Sequence, residues 1–86
     1  MEEEMKIISQ DPLGKETVTE LRFERTLHEP GAGWDTIKMR PSIYVDDEKK
    51  FEGTEVDATG CSYARRNANQ KMVRECFDWI LTNMIQ

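Results

Sequence analysis

Hydrophobic and polar positions change rhythm twice along the chain. From Val18, the residues Leu21, Phe23, Arg25 and Leu27 alternate with Arg22, Glu24, Thr26 and His28. A period of two gives a strand one apolar face, and the spacing predicts a first strand over roughly 17–28. After the loop Glu29-Pro30-Gly31-Ala32-Gly33 the alternation resumes behind Trp34, with Ile37, Met39, Pro41, Ile43 and Val45 on one parity and Lys38, Arg40, Ser42 and Tyr44 on the other. This predicts a second strand over roughly 35–46. Pro41 has no amide hydrogen, so the strand is expected at a sheet edge or with a bulge near its middle. Asp46-Asp47-Glu48-Lys49-Lys50 reads as a charged turn, and a weaker alternation from Phe51 through Val56 to Ala58 predicts a third strand over roughly 51–59, closed by Gly60.

From Ser62 the period lengthens to that of a helix. Ala64, Ala68, Met72, Cys76, Ile80 and Met84 recur every four residues, and Val73, Phe77 and Leu81 widen the stripe. The pattern predicts a helix over roughly 63–84 with Ser62 as its N-cap and Phe77 in the core. The first sixteen residues carry three consecutive glutamates, a short apolar group (Met5, Ile7, Ile8) and an Asp-Pro-Leu-Gly turn signal, so 1–16 is expected as an arm or a short strand. The remainder, 17–86, is expected as one β-β-β-α domain. The fold class is α+β, a three-stranded antiparallel sheet with a long C-terminal helix packed on one face.

Length and composition narrow the function classes. Eighty-six residues form one small domain that can bury about 64% of its unfolded surface, without room for a deep cofactor cavity. No apolar run is long enough to span a bilayer and the start is acidic, which predicts an intracellular, cytoplasmic or nuclear protein without a membrane partner. Cys61 and Cys76 are too few for a disulfide scaffold and lack metal-pair spacing. The net charge of −5 argues against general nucleic-acid binding. Its distribution is uneven: residues 1–60 hold 8 basic and 15 acidic residues, a balance of −7, whereas 61–86 hold 4 basic and 2 acidic, a balance of +2.

That local positive charge is concentrated in Ala64-Arg65-Arg66-Asn67-Ala68-Asn69-Gln70-Lys71-Met72. Two arginines in the first turn, with Asn69 one turn on, place donors beside the positive end of the helix dipole, and the small residues Ala64 and Ala68 let the helix approach the sheet. At these residues the chain resembles the double-stranded RNA-binding domain, whose last helix opens on a Lys-Lys-x-Ala-Lys signature. Arg65-Arg66-Asn67-Ala68-Asn69 stands in that place, and Phe51-Glu52-Gly53 resembles the family's entry to its third strand. The resemblance spans roughly 18–84. It implies an α-β-β-β-α fold and a duplex RNA partner held by shape, with the basic helix start on the phosphates and a strand loop in the minor groove. The loop position falls here on His28-Glu29-Pro30-Gly31-Ala32-Gly33. The nucleic-acid-binding set is then Arg65, Arg66, Asn69, Lys71, Arg74 and His28.

Other chemistry is thinner. His28 has no serine or cysteine placed beside it with a supporting acid, and Asp46-Asp47-Glu48 lacks the glycine and glutamate spacing of a calcium loop. Neither a catalytic apparatus nor a metal site, cofactor or small-molecule substrate is expected. Trp34 and Trp79 read first as packing residues. Were Trp34 exposed beside Lys38, Arg40 and Tyr44, it would mark a surface for base stacking or for a protein partner. Two functions follow as expectations: a non-catalytic module on duplex RNA, or an acidic protein-interaction adaptor or inhibitor that uses its sheet surface.

Overall fold

The structure, a computed structural model, describes residues 3–10 and 12–84. Five strands precede one helix: β1 (Glu3–Gln10), β2 (Glu16–Glu29), β3 (Thr36–Val45), β4 (Glu48–Glu52), β5 (Val56–Asp57) and α1 (Ser62–Asn83). The fold is α+β, an antiparallel sheet in the order β1-β2-β3-β4, with β5 pairing β3 beyond the end of β4. The expected three strands are therefore corrected to five. Residues 3–10 form β1 where the resemblance implies a helix; the start of the expected arm at residues 1 and 2, and residue 11 within it, lie outside the described residues.

The long hairpin of β2 and β3 pairs Leu21 with Ile43, Phe23 with Pro41 and Arg25 with Met39, and Thr26 then bulges out of register. Pro41 sits in a central strand, and the physical reason it is tolerated lies across from it. Its carbonyl accepts from the Gly53 amide at 2.8 Å, so its nitrogen, which points the same way, faces the detour between β4 and β5 where the ladder is already interrupted. The expected strand over 51–59 is accordingly two short strands with Gly53-Thr54-Glu55 between them. The turn before β4 is only Asp46-Asp47, both with positive φ, as a tight hairpin turn requires. Asp46 ties this turn to β2, donating its amide to the Val18 carbonyl and accepting from the Val18 amide.

Helix α1 packs on the face of the sheet presented by Leu21, Phe23, Met39 and Ile43, closing the core with Ala68, Met72 and Cys76. Its roll is set by its β4 side. Trp79 stacks on Phe51 with ring centroids 5.7 Å apart, and Glu75 accepts from the amide and hydroxyl of Thr54. A Cβ on Gly53 would meet Glu75 at 2.9 Å and Pro41 at 2.7 Å, so only glycine leaves that carboxylate its seat. With the helix turned toward β4, Phe77 is rotated out of the core and is 43% exposed, against the expectation that it is buried. The N-cap is Cys61 rather than Ser62. No helix among the described residues is long and apolar enough to cross a membrane.

The chain is elongated, with extents of 56 × 20 × 18 Å and a radius of gyration of 15.0 Å, against about 12 Å for a compact chain of this length. Fourteen-residue β2 sets that length. α1 lies over β3, β5 and β2 and stops short of β1.

Candidate nucleic-acid interface

The start of α1 is fixed to the start of β3. The Ala58 amide donates to the Ile37 carbonyl at 2.8 Å, and the Thr59 hydroxyl accepts from the Ile37 amide at 2.9 Å. Gly60, at φ 111°, makes the bend that only glycine adopts freely, and the helix begins two residues later. These contacts place the first turn of α1 at the same end of the molecule as the loop between β2 and β3.

Arg65, Arg66, Asn69 and Arg74 are brought together along one flank of α1, where with Val73 and Phe77 they line a shallow groove of about 810 Å³. Lys71 lies off that groove and shares a smaller hollow of about 220 Å³ with Asn67, Gln70 and Arg74. Among the described residues, Arg65, Arg66, Lys71 and Arg74 make no ion pair or hydrogen bond. The acid most able to neutralise them, Glu75, is turned to the sheet and held by Thr54, leaving Asp78 at the far end of the groove. The first turn of α1 carries no acidic residue. Arginines there oppose the helix dipole, since the exposed amides of a helix start favour negative charge. The arrangement is locally unfavourable and becomes favourable when an anion sits between the guanidinium groups and the helix start.

The remaining sequence-predicted residues have other duties. His28 does not reach toward a ligand: its Nε2 is 2.8 Å from the Asp35 carboxylate and its Nδ1 3.2 Å from Arg25, so it braces the loop. That contact, helped by the Gly31 amide, holds the Asp35 carboxyl below the usual range. Gly31 packs against the Trp34 carbonyl, where a Cβ would approach to 2.5 Å. The tight loop leaves Trp34 66% exposed, correcting the reading of it as a packing residue. Lys38, Arg40 and Tyr44 lie on the sheet face away from α1, and all three are engaged. Lys38 pairs with Glu55, Arg40 with Glu52 at 3.1 Å and with Glu55, and the Arg22 guanidinium lies 4.0 Å above the Tyr44 ring. Lys49 also reaches Glu52, at 3.2 Å, and together Lys49 and Arg40 lower that carboxyl's pKa.

Two features escaped the sequence reading. Tyr63 is 68% exposed in the first turn of α1, off the apolar stripe that drew attention to the helix. Gln70 joins Arg66 and Arg74 in an i, i+4 row beside the groove. The same spacing makes that row visible in the sequence once the stripe is set aside. Cys61, exposed at the helix start, has its thiol pKa lowered by the Ala64 and Tyr63 amides, whereas burial and the nearby Glu75 push the Cys76 thiol up to about 11. No group of His, Cys, Asp and Glu side chains among the described residues is arranged to hold a metal ion. Set against known proteins, the chain matches no family, no curated protein and no solved structure.

Proposed function

We propose that this protein is a non-catalytic binding module that holds a nucleic-acid phosphate backbone along the first three turns of α1. Duplex RNA, the partner implied by the resemblance, is the form to test first. One observation carries the reading: the four cations of α1 are without acidic partners while the sheet-face cations Arg22, Lys38, Arg40 and Lys49 are ion-paired. Arg65 to Arg74 covers about 13 Å of helix axis, enough to follow several consecutive phosphates. The neutral donors Asn69 and Gln70 lie between the charges, as positioning contacts to phosphate or sugar would.

A second reading is favoured by the groove floor. Val73 and Phe77 beside Arg65, Arg66 and Arg74 would suit an acidic amphipathic protein segment. Amide chemical shifts recorded while titrating an RNA duplex of about 16 base pairs separate the two. The nucleic-acid reading expects shifts centred on Arg65, Arg66 and Gln70, and a log–log salt slope between about −2.8 and −3.6 if all four cations neutralise phosphates. Binding that ignores salt, or a spectrum unmoved by the duplex, refutes it.

A further inference from the structure

β1 is the outer strand of the sheet, and its far side is a row of backbone amides and carbonyls without a neighbour. Sheet edges are ordinarily protected by proline, a bulge or a covering element. β1 has no proline, pairs with β2 through eight consecutive residues without a register break, and lies beyond the reach of α1.

The side of β1 that faces the helix layer is apolar and bare. Met5 is 45% and Ile7 40% exposed. The register sets what stands beside them. Met5 pairs with Leu21, which pairs with Ile43, and Ile7 is joined through Thr19 to Val45. Trp79 sits over Phe51, the β4 partner of Ile43, so the last two turns of α1 run abreast of Met5 and Ile7. In those turns Phe77, Leu81 and Met84 are exposed as well. Five apolar side chains thus border one uncovered strip between α1 and the edge of the sheet.

We infer that a second copy of this chain covers the strip, β1 pairing antiparallel with its counterpart across a two-fold axis. An edge strand is self-complementary in that arrangement, because each copy supplies the hydrogen-bonding row the other lacks. The sheets join into one, both helices stand on the same face, and Met5, Ile7 and Phe77 of each copy close over the seam. Surface area agrees: the chain exposes 6124 Å², about 800 Å² more than a monomer of this size is expected to expose, and about 800 Å² is what each partner contributes to a stable interface. The seam lies beside the second half of α1, away from Arg65 and Arg66, so the inference stands apart from the proposed nucleic-acid contact.

Sedimentation velocity on the full chain, from about 5 to about 100 μM, tests it directly, since interfaces of this size commonly give dissociation constants of micromolar or tighter. The wild type is expected at twice the chain mass. Ile7→Lys and Phe77→Lys, both at exposed positions, are expected at the single-chain mass with an unchanged far-ultraviolet circular dichroism spectrum. Leu13→Lys, in the turn beyond β1, is expected to stay dimeric. Slow amide exchange in β1 that becomes fast on dilution would locate the contact in the edge strand. A wild type that stays single across the range, or a dimer that survives both lysine variants, overturns the inference.

Discussion

The two surfaces of this domain treat charge in opposite ways. On the open face of the sheet, cations are placed opposite carboxylates: Arg22 meets Glu20, Lys38 meets Glu55, and Arg40 and Lys49 share Glu52. Strand pairing enforces this, because residues on neighbouring strands stand directly across from one another and like charges there are unfavourable. On α1 the cations stand without acids, two of them against the dipole. Paired charge completes a surface by itself, whereas unpaired charge leaves a surface whose electrostatics improve when something negative arrives. The contrast locates the binding face more firmly than the overall charge of −5 does.

The largest expected effect removes the frame from which both faces hang. Met72 is fully buried between α1 and the sheet, and Met72→Ala should cost roughly 2–5 kcal/mol, enough to unfold much of so small a domain in a urea titration. Next comes the contrast itself. Arg65→Glu with Arg66→Glu should weaken binding to an RNA duplex by about 100-fold while the melting temperature hardly moves, because no contact within the protein is lost. Lys38→Glu with Arg40→Glu, an equal change in net charge, should leave affinity within a few-fold and lower the melting temperature. Equal losses of affinity from the two double variants would mean that only net charge matters, and the comparison would collapse.

Smaller effects sharpen it through pH. Glu20, Asp35, Glu52 and Asp57 all have folded-state pKa values held below the ordinary carboxylate range, by Arg22, His28, Lys49 and Thr59 respectively. Depressed carboxylates stabilise the fold above their unfolded pKa and lose that contribution as pH falls through the folded value. Stability measured by urea unfolding should therefore drop as pH falls below the usual carboxylate range, and the drop should shrink in Lys38→Ala with Arg40→Ala. Cys76 works from the other side: its raised pKa disfavours the thiolate in the fold, so stability should fall as pH climbs from about 9 toward about 11. The smallest expected change is Phe77→Ala. Its ring is 43% exposed, so the cost should stay below about 1 kcal/mol, far short of the roughly 3–5 kcal/mol of a core phenylalanine.

Where residues obeyed one period, the sequence was legible. β2, β3 and α1 begin and end within about a residue of their expected bounds, because alternation and four-residue recurrence each report a single buried face. β1 and β4 were obscure for a shared reason. Met5, Ile7 and Ile8 break alternation and are all exposed, while Glu48-Lys49-Lys50 lies in β4 with its polar side chains in water. Phe77 was misread because periodicity gives the width of an apolar stripe without its roll. The roll came from Trp79 on Phe51 and Glu75 on Thr54, contacts between distant elements that no local pattern encodes. The arginine pair was visible in the sequence; the absence of partners around it, and the bracing role of His28, needed three dimensions.

The meander order of the strands bears on how the chain is made. Each of the first four strands pairs with its immediate predecessor, so the sheet can zip up hairpin by hairpin behind short loops, the kind of topology that folds quickly. Its greasy inner side, Leu21, Phe23, Met39 and Ile43, is closed by Met72 and Cys76 of the element synthesised last. At about 5–20 residues per second on the ribosome, that side waits bare for on the order of seconds before α1 emerges to cover it. Chaperones that recognise exposed apolar sheet would meet this protein in that interval.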